Sequence, residues 1–494
     1  MSVLAPLAPL RAHAGTRLTA GLSDDQILAL VDGHPDLVAA IEAAAAEYAR
    51  IKDSAANLLD LDESAQIAAM QDGFVNFYAD DAVVPYIALA ACGPWVVSLK
   101  GAVLYDAGGY GMLGFGHTPA DILSAAGKPQ VMANIMTPSL SQGRFIAALR
   151  KEIGHSRGGS PFTHFMCLNS GSEAVGLAAR IADINAKLMT DPGARHAGAT
   201  IKRVVIKGSF HGRTDRPALY SDSTRKAYDT HLASYRGEDS VIAIEPYDAD
   251  ALRQVFADAQ ANHWFIEAVF LEPVMGEGDP GRAVPADFYR VARQLTREHG
   301  SLLLIDSIQA ALRVHGTLSF VDYPGHQDLE APDMETYSKA LNGAQFPLSV
   351  LAVTDHAAAL YRKGVYGNTM TTNPRALDVA CATLARLDDG VRENIRLRGR
   401  QAVAKLEALK DKLGGAITKV QGTGLLFSCE LSPAYKCYGA GSTEEWLRMH
   451  GVNVIHGGEN SLRFTPHFGI DEAELDLMVE MVGRALVEGP RRAA

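Results

Sequence analysis

Between Thr163 and Val353 short apolar runs take turns with helical patterns, and this alternation limits the fold more than any other feature of the chain. Phe165 to Leu168, Arg203 to Lys207, Val241 to Glu245, Ala268 to Glu272 and Leu302 to Ile305 read as strands. They are too short for helices, and continuous apolar character marks strands covered on both faces. Val175 to Leu188 and Phe288 to His299 repeat their apolar positions at helical spacing. Strand and helix in turn imply an α/β architecture, a mostly parallel sheet covered by helices. Ligands of such sheets sit beyond the carboxyl ends of the strands. Ser170, Phe210, Glu272, Asp306 and Lys339 all fall just past a predicted strand end. That shared placement marks them as a candidate site.

The flanks read differently. Residues 24–72 carry helical patterns, with Asp24 and Asp25 as caps and an Ala-rich stretch from Pro35 to Lys52. They form a predicted N-terminal helical extension, residues 1–72, without chemistry of its own. Met1 to Ser23 holds Arg11 and Arg17 and no acid. A transit peptide has that composition, but the expectation is a poorly ordered tail. Trp95 to Asp106 reads as a hairpin, and Ser141 to Ile153 as a helix. After Asn373-Pro374 come two long helical patterns, 375–388 and 391–412. Strands within Ile417 to Leu431 and Val452 to Phe464, and a closing helix from Asp471 to Val487, suggest a smaller α+β domain. The expected divisions are 73–127 for the N-terminal part of the small domain, 128–390 for the large domain and 391–494 for the C-terminal small domain.

Composition removes several functions. With 46 Lys and Arg against 57 Asp and Glu, the net charge is −11, which disfavours nucleic acid as a partner. No run approaches the ~18 apolar residues of a membrane span. Five cysteines without a Cys-x-x-Cys pair indicate a reduced, cytoplasmic protein. The 16 histidines show no ligand spacing, so no metal is expected.

Two formal motifs fail on context. Gly109-x-Gly111-x-x-Gly114 lacks the strand–turn–helix unit of a dinucleotide site. Gly154-x-Ser156-x-Gly158 follows a helix, where a nucleophile elbow needs a strand. A pairing of two weak signals is more informative. Ser338-Lys339-Ala340 places a lysine in a turn of small residues, and the strand ending at Asp306 has Gln309 three positions on. Alone, each is ordinary: a surface lysine, an aspartate ending a strand. Together, an amine for a Schiff base and a carboxylate for a pyridinium nitrogen are what pyridoxal phosphate requires.

The other candidates keep two readings each. Asn169-Ser170-Gly171-Ser172-Glu173 opens a helix, as an anion site or as a simple serine cap. Phe210 can stack on a heterocycle or fill the core, and Arg213 suits a carboxylate. Glu272 and Glu277 flank a turn, where they gate a positive group or satisfy loop backbone. The loop Gly367 to Pro374 can add a phosphate ligand through Thr369 or merely turn. Arg463 is a surface ion-pair residue or a ligand for a substrate carboxylate.

In this order the motifs resemble the class III aminotransferases, pyridoxal-phosphate enzymes of fold type I. The resemblance rests on Asn-Ser-Gly-Ser-Glu-Ala at 169–174, Phe-His-Gly-Arg-Thr at 210–214, Glu-Pro-Val-Met-Gly-Glu at 272–277, Asp-Ser-Ile-Gln at 306–309, Ser-Lys-Ala-Leu at 338–341 and Asn-Thr-Met-Thr-Thr-Asn-Pro at 368–374. Gly109 to Pro119 and Arg463-Phe-Thr-Pro466 add to it, and it covers roughly residues 85–490.

The resemblance implies pyridoxal 5'-phosphate as cofactor and a ping-pong aldimine/ketimine cycle between an amino donor and a keto acid, with 2-oxoglutarate as the expected acceptor. Lys339 would carry the cofactor and move the proton, Asp306 would hold the ring nitrogen, Gln309 the phenolic oxygen, and Phe210 would stack. Ser170, Gly171, Ser172, His211, Glu272 and Thr369 complete the cofactor set, with Thr369 reaching the phosphate of a second subunit in a homodimer. Tyr110, Arg213, Glu277 and Arg463 match substrate-binding positions of the branch acting on ω-amino acids such as ornithine, lysine and 4-aminobutyrate. The chain departs from the family at Ser307, Ala310-Ala311 and Thr371-Thr372, and its first 70 residues have no counterpart there. An aminomutase or epimerase on the same scaffold is the alternative reading, and a non-catalytic protein of the same fold a third.

Overall fold

Strands form here where apolar residues can be covered from both sides. In the computed structural model, which describes residues 2–108, 110–131 and 135–492, Leu302–Asp306, Met334–Tyr337 and Ser349–Val353 are buried along their whole length. They lie inside a seven-stranded sheet. Its order is His164–Leu168, Ser349–Val353, Met334–Tyr337, Leu302–Asp306, Trp264–Leu271, Thr200–Ile206 and Val241–Ile244. Ser349–Val353 runs antiparallel to both its neighbours, while the pairings from Met334–Tyr337 to Val241–Ile244 are parallel. The expected mostly parallel sheet is therefore present, and the carboxyl ends of six strands share one edge.

This sheet belongs to a compact unit, Asp121–Arg396. The helix Gly171–Thr190 covers it with Ala174, Val175, Ala178, Ile181 and Ala182, all fully buried, against Val205, Phe270, Leu304 and Leu351. Small residues on the helix let it lie close to the sheet. Burying each larger aliphatic side chain stabilises the packing by about 1.5–3 kcal/mol before entropy is counted. The helix Ala286–His299 ends at Gly300, whose φ of 83° suits a residue without Cβ. The strand Trp264–Leu271 begins four residues before the apolar run shows it. Glu267 interrupts that run, yet it is fully buried, with Arg203 Nε at 2.9 Å and the Tyr220 hydroxyl at 2.6 Å. Paired charge, not hydrophobicity, carries this position.

The second unit combines Met1–Ala120 with Leu397–Ala494. The predicted hairpin is found, with Trp95 opposite Tyr105. It joins Ala88–Cys92 and Val452–Asn453 in a four-stranded sheet. Ile417–Thr423, Leu426–Leu431, Ser461–Phe464 and Ile455–Gly457 make another. The helix Pro35–Ile51 packs Leu37, Ala40, Ile41 and Ala44 toward Ala88–Cys92 and Trp95–Ser98.

The poorly ordered tail expected for Met1 to Ser23 is not observed. Leu7, Leu10, Thr19 and Leu22 are buried, and short helices cover Ala5–Leu7 and Ala8–Arg11. Backbone N–H groups of Gly21 and Leu22 donate to the carbonyls of Met449 and Val103. The buried Glu63 carboxylate accepts from the N–H groups of Leu18 and Thr19 at 2.7 and 2.8 Å. Leucine at every third position, with Pro6 and Pro9 presetting helical turns, outweighs the charge bias that suggested a loose segment.

Candidate active site

Five strand ends and one helix start converge in the unit Asp121–Arg396. A cavity there is lined by Ser170, Gly171, Ser172, Phe210, His211, Glu272, Asp306, Gln309 and Lys339, together with Gly212, Ile308 and Ser338. Nine residues singled out in the sequence thus meet in one place.

Asp306 ends its strand and is 4% exposed. Its Oδ2 lies 2.8 Å from His211 Nδ1, and its Oδ1 accepts from the Thr336 hydroxyl at 2.9 Å and from the Ile308 N–H at 3.2 Å. Thr336 stands directly across from Asp306 on the adjacent strand. The carboxylate is fixed in orientation by the Thr336 hydroxyl, the Ile308 N–H and the His211 ring.

Glu272 has a different task. Its two oxygens accept from the N–H groups of Phe210 and Gly276, both at 3.0 Å. Burial pushes its carboxyl up to about 7, with Asp306 adding to the rise while His211 and the two N–H groups oppose it. It braces the turns that carry Phe210 and Gly276. Gly276 lies against Gln309: a Cβ there would come 2.3 Å from the Gln309 amide carbon.

At the helix start, Ser170 and Glu173 form a capping box. The Ser170 hydroxyl accepts from the Glu173 N–H at 3.3 Å, and Glu173 Oε2 accepts from the Asn169 and Ser170 N–H groups at 2.8 and 3.0 Å. The box uses the Ser170 side chain as a cap, and the N–H groups at Gly171 and Ser172 open the helix at the cavity wall. Gly212, with φ +107°, closes over Ser172: a Cβ would fall 2.3 Å from the Ser172 hydroxyl oxygen.

Lys339 follows the strand Met334–Tyr337 and has φ +51°, left-handed for a residue with a side chain. Such a conformation costs on the order of 1–3 kcal/mol and persists where the surroundings enforce it. Phe210 has the exposed Arg213 guanidinium 5.1 Å from its ring centre. Glu277 is half-buried beside Gly276. Thr369 is exposed, and its neighbour Asn368 donates to Glu173 at 2.6 Å, tying this loop to the start of the helix.

Tyr110 and Arg463 belong to the other unit, where they meet each other. Arg463 is fully buried in Ser461–Phe464 with its guanidinium 5.3 Å from the Tyr110 ring, and Tyr110 stacks on Tyr78 at 5.8 Å. Gly109 of the glycine-rich motif lies outside the described residues.

Reasoning from sequence missed Thr336, Gly276, Asn368 and Ser349, whose hydroxyl donates to the Ser170 carbonyl at 2.7 Å. Thr336 had one available signal, its place three residues before Lys339 on the preceding strand. The others depend on strand register, which the sequence does not show.

The residues suit pyridoxal phosphate. One end of the cavity is a capped helix start fitted for an anion. The other holds an oriented carboxylate suited to a ring N–H, with an aromatic face and a lysine on the walls. Fold and site together define a pyridoxal-phosphate enzyme of fold type I. Residues 77–486 match the family model described as aminotransferase class-III, and the chain belongs to that family.

Among its relatives, acetylornithine aminotransferase of Xanthomonas campestris is 30% identical over 378 residues, 74% of this chain and 84% of the relative. Ornithine aminotransferase of Saccharomyces cerevisiae is 28% identical over 337 residues, 66% and 76% of the two chains. Of solved structures, ornithine aminotransferase from Toxoplasma gondii superposes with a TM-score of 0.73 at 21% identity, covering 88% of this chain and 98% of that one. Acetylornithine aminotransferase from Elizabethkingia anophelis gives 0.68 at 24%, covering 86% and 99%. The protein is thus a transaminase with pyridoxal phosphate as cofactor. Among the described residues no helix is long and apolar enough to cross a membrane.

Proposed function

We propose that the enzyme moves an amino group from an amino acid or ω-amino acid to a keto acid, 2-oxoglutarate being the expected acceptor, in a ping-pong cycle. One observation carries the reading: the Asp306 carboxylate, clamped by His211 and Thr336, shares a cavity with Lys339. When bound, the cofactor withdraws electrons from the substrate carbon next to the transferred nitrogen. Asp306 would hold the ring N–H and so sustain that withdrawal. Lys339 would hold the cofactor between turnovers and, once freed by the donor amine, its Nζ would serve as the base at the donor carbon. The amides of Gly171 and Ser172 and the Ser172 hydroxyl would hold the phosphate, Gln309 the phenolic oxygen, and Phe210 would stack on the ring. Ser170 and Glu272 act through the backbone they hold.

Arg213 and Arg463 are assigned to substrate carboxylates, and Tyr110 and Glu277 to further substrate contacts. The relatives' names make ornithine and N-acetylornithine the first donors to try, followed by lysine and 4-aminobutyrate. A homodimer is part of the reading, with Thr369 reaching the partner's phosphate. The exposure of Thr369 and of the apolar Met136, Leu140 and Met370 supports it. A cytoplasmic location accords with five cysteines free of disulfides.

The test is the visible spectrum of the holoenzyme with each donor in turn and no acceptor. One donor should bleach the Schiff-base band to that of the amine form, and 2-oxoglutarate should restore it. A band that survives every donor, or an amine form that 2-oxoglutarate leaves unchanged, would sink the corresponding half of the proposal.

A further inference from the structure

His34, Asp471 and Glu474 come from opposite ends of the sequence and meet in the unit Met1–Ala120 with Leu397–Ala494. His34 precedes the helix Pro35–Ile51, and Asp471 caps the helix Glu472–Glu488. His34 Nε2, Asp471 Oδ2 and Glu474 Oε1 point into one space. The nitrogen is 3.1 Å from the first oxygen and 4.0 Å from the second, and the group's ligand atoms all lie within 4.8 Å of one another.

Each of the three groups is already held by its other atom. His34 Nδ1 lies 2.7 Å from the Leu30 carbonyl, the geometry of an Nδ1–H donor, which leaves Nε2 to face the carboxylates. Asp471 Oδ1 accepts from the Glu474 N–H, and Glu474 Oε2 from the Asp471 N–H, both at 2.9 Å. This capping box uses one oxygen of each carboxylate and turns the other toward His34. His467 Nε2 lies 3.0 Å from Glu474 Oε2 and supports it from behind.

The histidine supplies the second, independent observation. His34 is 9% exposed, and its Nε2, buried and 3.1 Å from a carboxylate oxygen, makes no hydrogen bond. A buried polar atom of this kind calls for a partner.

We propose that His34, Asp471 and Glu474 form a binding site for a divalent first-row transition ion such as zinc. One imidazole nitrogen and two carboxylate oxygens are a donor set such ions accept, with water in the fourth position. Ligand atoms of a tetrahedral zinc site stand about 3.3 Å apart at bond lengths of 2.0–2.1 Å. The two spacings from His34 Nε2, 3.1 and 4.0 Å, lie on either side of that value. Two carboxyl groups and one imidazole supply hard and borderline donors together, and the Asp471 side chain, 44% exposed, gives a way in from solvent. The Leu30 carbonyl, His467 and the two capping N–H groups are the outer partners that orient such ligands. The ion would clasp the N-terminal helices to the closing helix. No sequence spacing could announce it, because the ligands lie on segments joined only by folding.

The test uses the intact holoenzyme, dialysed against a chelator and titrated with zinc by calorimetry, and with cobalt by its visible d–d absorption. One zinc per chain is expected, together with a cobalt spectrum of low coordination number. Asp471→Asn keeps a good helix cap while removing the charged ligand. It should weaken zinc binding at least tenfold and leave the metal-free unfolding temperature unchanged. His34→Ala should do the same to binding. No binding by the wild type, or binding that survives either substitution, would overturn the proposal and leave the cluster an ion pair only.

Discussion

Asp306 can bind a ring nitrogen well only if its carboxylate does not rotate. The Thr336 hydroxyl, 2.9 Å from Oδ1, is one of the groups that stop it. A hydrogen bond to a charged group contributes about 1.5–3 kcal/mol. Thr336→Val is therefore expected to lower kcat about tenfold or more with little change in the KM for the donor, read by steady-state kinetics. Thr336→Ser should restore most of the loss, which a purely structural role for the methyl group would not predict. Gly212 is the second sensitive residue. Its φ of +107° and the 2.3 Å approach of a Cβ to the Ser172 hydroxyl oxygen leave alanine nowhere to go. Gly212→Ala should lose bound cofactor on dilution, seen as loss of the visible band, while the far-ultraviolet circular dichroism stays.

The sequence made Lys339, Asp306 and the helix start at Gly171 legible because each is a local pattern: a residue type at a strand end or a helix cap. Thr336 and His211 as partners of Asp306 were not legible, since both depend on which strands lie side by side. Glu267 misled the reading of strand length for a related reason. Its charge argues for exposure until Arg203 and Tyr220 are known to meet it.

Among elements, the helix Gly171–Thr190 joins stability to cofactor binding. Ser170→Ala removes the cap hydroxyl and should cost about 1 kcal/mol, read as a lower denaturant midpoint of the apoprotein with the slope unchanged. The turn braced by Glu272 adds a pH effect. Its carboxyl, at about 7 in the folded protein against 4.5 when unperturbed, binds a proton more readily folded than unfolded. Its contribution to stability is thus complete below about 4.5 and is lost as pH rises through about 7. Glu272→Gln in the apoprotein should remove that part of the decline, so the variant's stability relative to wild type should rise between pH 5 and pH 8 (roughly the span of the titration). A constant difference across that range would contradict the assignment. The elements themselves were read closely where period and caps agree, as in Gly171–Thr190 and Ala286–His299. The order of residues 2–23 is not legible in the sequence because their burial depends on partners such as Met449 and Val103.

For the whole molecule, the buried Leu7, Leu10 and Leu22 make the first residues part of a core. Deleting residues 2–22 should expose the apolar surface they cover and lower the melting temperature of the holoenzyme. An unchanged melting temperature would show that the segment contributes nothing to that core.

The order of segments in space also differs from their order in time. The unit that opens with Met1–Ala120 is completed by Leu397–Ala494, and His164–Leu168 gains its sheet neighbour only when Ser349–Val353 has been made. On a ribosome Val103–Asp106 therefore emerges long before Val452–Asn453, the strand that pairs with it. That sheet edge must wait, unpaired, through the synthesis of the entire cofactor-binding unit. Long-range closure of this kind is slow and prone to aggregation. Yield of this enzyme in a foreign host should therefore depend on chaperone supply and translation speed more than on the stability of the finished fold.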